Sequence, residues 1–176
     1  MKNLKLFNFV VFSLLLAFTI SVSCTGGYNK KGQVANYKYI LEVSESNILL
    51  ELSSHNNSPA FLLALDEAES QKSNNDFLTL FSEAYQRIAP NEPLSTIFNT
   101  IELRHKISFS SSNQEVLEVI KKERDVFYEN TISILTNRIK GYGIRKFKVY
   151  RLDDNSQIVV EIPEDFASDR LKEYII

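Results

Sequence analysis

An α+β fold is predicted by three features of the sequence. Residues 37–43 alternate between apolar and polar, and residues 112–140 form one long helical run that opens with the capping-box spacing of Ser112 and Glu115. Residues 146–152 and 157–162 are two further alternating segments, separated by the polar turn Asp153, Asp154, Asn155 and Ser156. Strand, long helix, hairpin and a closing helix, in that order, begin a split βαβ or ferredoxin-like base. A clear final strand is missing from this plan, and a helical insert, at about residues 46–110, separates the first strand from the long helix.

In the first strand Tyr37, Tyr39, Leu41 and Val43 share one face, and polar residues 44–47 end it. A short apolar stretch at 48–52 starts a helix that residues 53–58 break. Pro59 suits the first turn of the next helix, with Ser58 as its cap and Phe61, Leu62, Leu65 and Ala68 at helical spacing. That helix fades over residues 71–75. Asn75 or Asp76 caps a further amphipathic helix carrying Phe77, Leu80, Phe81, Ala84 and Ile88. Pro90 and Pro93 bracket a turn, and Leu94, Ile97, Phe98 and Ile101 predict one more short helix.

Residues 102–109 are weakly patterned and are expected to be extended. In the long helix Val116, Val119, Ile120, Phe127, Ile134, Leu135 and Ile139 mark the buried side, and Gly141 and Gly143 end it. Pro163 stops the second hairpin strand. Residues 168–174 read as a final helix with Leu171 and Ile175 facing inward.

The N-terminus reads as an address. Lys2 and Lys5 precede an uncharged, mostly apolar stretch over residues 6–22, too short for the roughly 20 residues of a membrane span. Small residues then lead through Ser21, Val22 and Ser23 to Cys24, in the manner of a bacterial lipobox. The expected product is a chain that begins at Cys24, carries lipid there and has a linker over residues 24–36, followed by one domain at 37–176. Cys24 is the sole cysteine, so lipidation leaves no thiol for a disulfide, a nucleophile or a zinc site. The expected location is the periplasmic side of a bacterial membrane. With 20 Lys and Arg against 22 Asp and Glu, the chain lacks the basic excess of a nucleic-acid binder.

Toward the C-terminus, Asn137-Arg138-Ile139, then Gly143-Ile144, Arg151 and Ile158-Val159-Val160-Glu161-Ile162-Pro163 form a connected pattern. It resembles the first periplasmic domain of SecD and fused SecDF proteins, where a long helix ends in Asn-Arg-Ile and Gly-Val before a hairpin whose second strand reads Ile-Val-Val-x-Leu-Pro. Leu41-Glu42-Val43 and Asp76-Phe77-Leu78-Thr79-Leu80-Phe81 match the fused form, so the resemblance covers about residues 37–176. The family's Gly-Leu-Asp-Leu-x-Gly-Gly opening and its transmembrane bundle have no counterpart here. The resemblance therefore implies only a soluble module that works on chains emerging from the Sec channel, with client polypeptides or translocon subunits as partners. Asn137, Arg138, Gly143 and Pro163 are its structural motif residues.

The binding candidates are Tyr39, Arg138, Arg145, Lys148, Tyr150 and Arg151, within a group that also holds Lys140, Lys146, Tyr142 and Phe147. The first reading of such a group is the solvated outer face of a long helix and a hairpin; mixed basic and aromatic residues also suit an acidic or unfolded partner. The first strand is expected at the sheet edge, with the amides of Lys38, Ile40 and Glu42 directed outward, open to a second copy or a client strand.

Catalytic signals are weak. Glu102 and His105 have Glu-x-x-His spacing in a single copy, His55 lies in a polar loop, and no nucleophile or phosphate-loop motif is present. Asp153, Asp154 and Asn155 lack the later ligands of a calcium loop, and Asp66, Glu67 and Glu69 read as an exposed helix face. The expected protein is non-enzymatic and uses no cofactor or metal. The alternative reading is a shortened, vestigial module with no transport role of its own.

Overall fold

The computed structural model describes residues 20–21, 36–71, 76–152 and 156–175. The chain is mixed α+β and divides into two compact units, residues 45–127 and residues 1–44 with 128–176. The predicted lipid site at Cys24, the 24–35 part of the linker and the turn residues Asp153, Asp154 and Asn155 lie outside the described residues. No helix among the described residues is long and apolar enough to cross a membrane.

The first unit, which contains both termini, is built on an antiparallel sheet. Its strands are β1 (Ile20–Ser21), β2 (Asn36–Glu42), β3 (Lys148–Leu152) and β4 (Gln157–Pro163), in the order β1-β2-β4-β3. Three strands make up its body, and β1 adds two residues among those described. Leu41 lies opposite Ile158, Tyr39 opposite Val160 and Tyr37 opposite Ile162, so the alternating apolar positions of β2 and β4 share one face. Tyr39, Leu41, Val43, Ile158, Val160 and Ile162 are buried, as the alternation predicts. β3 starts at Lys148, two residues later than its pattern suggests.

The second unit is helical, with α1 (Glu45–Leu52), α2 (Pro59–Ser70), α3 (Phe77–Ile88) and the single turn α4 (Ser95–Phe98). The long helix α5 (Asn113–Gly141) begins in this unit and ends in the other. Phe61, Phe81 and Phe98 meet edge to face, with ring centroids 5.8, 5.7 and 6.4 Å apart, at the centre of its core. A short 3-10 turn (Glu164–Phe166) and α6 (Asp169–Ile175) complete the chain. Leu171 of α6 is buried as expected, whereas the side chain of Ile175 lies outside the description.

Local signals mark most helix ends. Ser112 N–H donates to Glu115 Oε2 at 2.7 Å, and Glu115 N–H donates back to Ser112 Oγ at 3.3 Å, which makes the predicted capping box of α5. Asp76 accepts from the Thr79 amide at 3.1 Å and so caps α3. At the end of α5, Gly143 takes φ 96°, while its N–H reaches the Lys140 carbonyl and that of Ile144 reaches the Ile139 carbonyl. This pair of bonds is the Schellman closure, and it requires the left-handed conformation that glycine supplies.

Several expectations are corrected. α1 starts at Glu45 rather than at 48, because Glu45 is buried against Arg124 instead of being a solvated strand end. Ser58 precedes α2, but its side chain makes no cap bond; its N–H instead donates to Asn56 Oδ1 at 2.9 Å. On α2, Ala64 is buried and Leu62 is 42% exposed. Residues 102–109 contain no strand. Leu103 and Ile107 turn inward four residues apart, and Asn99 Nδ2 donates to the Ile107 carbonyl at 2.6 Å, leaving Ile101 76% exposed. On α5 the buried row passes through Arg124, Tyr128 and Thr131, while Phe127 and Ile134 are only half-buried.

Candidate functional site

The edge of the sheet follows from the parity of β2. Val43 N–H donates to the Ser156 carbonyl at 2.6 Å, so the alternation of an antiparallel pair directs the main-chain groups of Tyr37, Tyr39 and Leu41 toward β4. Those of Lys38, Ile40 and Glu42 point to the opposite side. This side was expected to be the open edge of the sheet; instead β1 lies there, with Ser21 opposite Ile40 and Ile20 opposite Leu41, so β2 is not the outermost strand. β1 is the only strand on that side among the described residues.

The outer face beside this edge carries a charged cluster on three adjacent strands. Lys38 on β2 and Lys148 on β3 both lie opposite Glu161 on β4. Lys38 Nζ is 3.0 Å from Glu161 Oε1, and Tyr150 Oη donates to the same oxygen at 2.8 Å. Hydrogen bonds from Lys38 and Tyr150 hold the Glu161 carboxyl below its ordinary range, while the bond to Glu161 raises both Lys38 and Tyr150.

The sign of the pH dependence follows from these directions. Glu161 contributes stability that is complete above its unfolded value, about 4.3, and lost as pH falls through its lower folded value. The Lys38 contribution is complete below about 10.4 and lost as pH rises through its raised folded value. In Lys38→Met the Glu161 carboxyl is expected to titrate closer to the ordinary range in a carbon-detected NMR titration; an unchanged midpoint would show that the pair has no electrostatic coupling.

The sequence candidates distribute over both faces. Lys148 and Tyr150 join the outer cluster, and Arg145 is exposed in the preceding loop. Tyr39 does not belong there. It is 3% exposed on the inner face, and its hydroxyl donates to the Ser168 carbonyl at 3.3 Å, so its side chain is a core element. Arg151 also faces inward, its guanidinium 3.8 Å from the centroid of the Tyr128 ring, where a cation–π contact replaces the expected outward position. Arg138 is half-buried on α5 and Asn137 exposed, while Pro163 ends β4 opposite Asn36.

Lys38 and Glu161 are site residues that sequence reasoning missed. Each stands at an outward position of its strand, but opposite charges 123 residues apart signal a pair only once the register between their strands is known.

Glu102 accepts from Ser54 Oγ at 3.4 Å, His55 Nε2 is 3.1 Å from Glu51 Oε1 in an exposed pair, and Glu67 bonds Arg87. No group of three metal-ligating side chains is present among the described residues. In the helical unit Arg124 Nη1 bonds Glu45 Oε2 at 3.2 Å and Asp76 Oδ1 at 3.0 Å, with the Arg124 and Glu45 side chains 7% and 4% exposed. These three residues join α1, the start of α3 and α5 within the unit. Compared with protein-family models, curated proteins and solved structures, the chain matches none of them.

Proposed function

We propose that this chain is a lipid-anchored, non-enzymatic SecD-like periplasmic module that assists protein export by binding client polypeptides or translocon components. The observation that carries the reading is the strand order of the sheet. β2 lies antiparallel beside β4, the second strand of the hairpin, which is the arrangement a split βαβ base requires of its first strand, and the Ile158 to Pro163 motif lies in β4 between β2 and β3. In such a base the fourth strand would lie antiparallel beside the first, where β1 places two residues. The signal-like leader and the Cys24 pattern supply the location and the anchor. A defined aromatic core in the helical unit favours a folded module over a decayed remnant.

Photo-crosslinking in living cells tests this reading. The probes belong at the exposed positions Lys38, Lys148 and Phe109. Adducts with exported chains or translocon subunits are expected from Lys38 and Lys148. A folded, lipidated protein that yields no such adduct at any position removes the export role.

A further inference from the structure

We infer that the outward edge of β2 at Lys38 and Ile40 is a strand-accepting site for an extended, uncharged, β-branched-rich polypeptide segment, and that the chain's own leader occupies this site until it is removed. The inference rests on the reading above in one respect, that the leader is cleaved before Cys24.

Its first basis is geometry. Ile40 presents both its N–H and its carbonyl away from β4, and Ser21 stands directly opposite in the antiparallel register that exchanges both bonds. An edge of this kind binds through main-chain groups, which accept many sequences, and takes its selectivity from the flanking side chains. Here those are half-buried Ile40 on the outer face and Tyr39 and Leu41 on the inner face. A segment with apolar or small residues fits that row, whereas one with charges opposite Leu41 does not.

The second basis is the nature of the segment seated there. Ile20 and Ser21 belong to the stretch Phe18-Thr19-Ile20-Ser21-Val22-Ser23, which has no charge and three β-branched residues that favour extended backbone. Two residues are paired among the described residues, and β2 is seven residues long. A cleaved leader therefore exposes an edge whose preferred occupant has already been specified: an extended segment resembling the end of the leader itself, as exported chains carry.

Residue-resolved hydrogen exchange on the processed chain tests this, with the synthetic hexapeptide Phe-Thr-Ile-Ser-Val-Ser as probe. The Tyr39 and Leu41 amides, which face β4, are expected to exchange slowly throughout and so report an intact sheet. The Lys38 and Ile40 amides are expected to exchange fast alone and to slow by about tenfold or more at saturating peptide. A peptide N-methylated at its first serine loses the donor to the Ile40 carbonyl and is expected to have no effect. Ile40→Pro removes the outward N–H while sparing the ladder to β4, and is expected to abolish the response with Tyr39 and Leu41 still protected. In the full-length Cys24→Ala chain, which keeps its leader, Ile40 is expected to be slow without peptide.

Absence of any peptide effect with Tyr39 and Leu41 protected overturns the inference. So does slowing of Ile40 that appears without peptide and rises with protein concentration, which would assign the edge to a second copy. Peptide binding without export adducts in cells would retain the edge and remove the export role; export adducts through Lys148 without a peptide effect would do the reverse.

Discussion

Phe61→Ala is expected to destabilise the helical unit by about 4 kcal/mol, the range for removing a fully buried phenylalanine from a packed core. The ring is completely buried and makes edge-to-face contacts with both Phe81 and Phe98, so truncation removes apolar burial and two oriented aromatic contacts together. Phe81 and Phe98 sit on different helices, and both rings pack on that of Phe61. Leu63→Ala provides the contrast on the same helix: its side chain is 59% exposed, and the change is expected to stay within about 0.5 kcal/mol. Urea unfolding followed by circular dichroism checks both. Equal effects at the two positions would mean that the core is not centred on Phe61.

Arg124→Met is expected to be of similar size, about 3–5 kcal/mol, for a different reason. The loss comes less from the attraction itself than from stranding the Glu45 carboxylate, 4% exposed, without its countercharge. The guanidinium Nε is already buried without a hydrogen-bond partner, so the site has little polar capacity to spare. Arg124→Met combined with Glu45→Gln is expected to recover much of the loss, since removing both charges removes the desolvation penalty.

Acid behaviour gives a second measurement on the same clamp. Burial acts to raise the Asp76 carboxyl, but the hydrogen bond and charge of Arg124, with the Thr79 amide, outweigh it and hold the group below its ordinary range. Its contribution is therefore complete above its unfolded value, about 3.9, and lost as pH falls through the lower folded value. In Arg124→Met this part of the acid sensitivity is expected to shrink. A variant that loses under about 1 kcal/mol, with unchanged acid sensitivity, would show that the three side chains do not act as a clamp.

Much of the secondary structure is legible in the sequence because it depends on neighbours along the chain. The Ser112 and Glu115 capping box, the Asp76 cap and the Gly143 closure each satisfy backbone groups within five residues, so their spacing is visible before any folding. The alternation in β2 and β4 is legible for the same reason, since period two sets which side chains share a face. It also puts the main-chain groups of Lys38, Ile40 and Glu42 on one edge of the strand, while the Val43 bond to Ser156 decides that this edge faces away from β4.

Other features are decided by what packs against the chain. Arg124 lies in the buried row of α5 because the carboxylates of Glu45 and Asp76, 79 and 48 residues away, meet it there; no local rule places an arginine inside. Leu62 and Ile101 are exposed, and Ala64, Leu103 and Ile107 buried, because hydrophobicity says which residues can be inside but not which face finds a neighbour. Tyr39 illustrates the same limit at the proposed site: its alternation is correct, but its role changes from contact residue to core once it is buried on the inner face with its hydroxyl on the Ser168 carbonyl.

For this protein, then, the sequence alone determined most element types, the caps at Ser112, Asp76 and Gly143 and the alternation of each strand's two faces, because these are short-range matters of hydrogen bonding and period. The tertiary structure alone decided the partners. The β2-to-β4 register that joins Lys38 to Glu161, the clamp on Arg124 and the seat of Ile20–Ser21 on the sheet edge all bring distant residues together, and that depends on how whole surfaces fit.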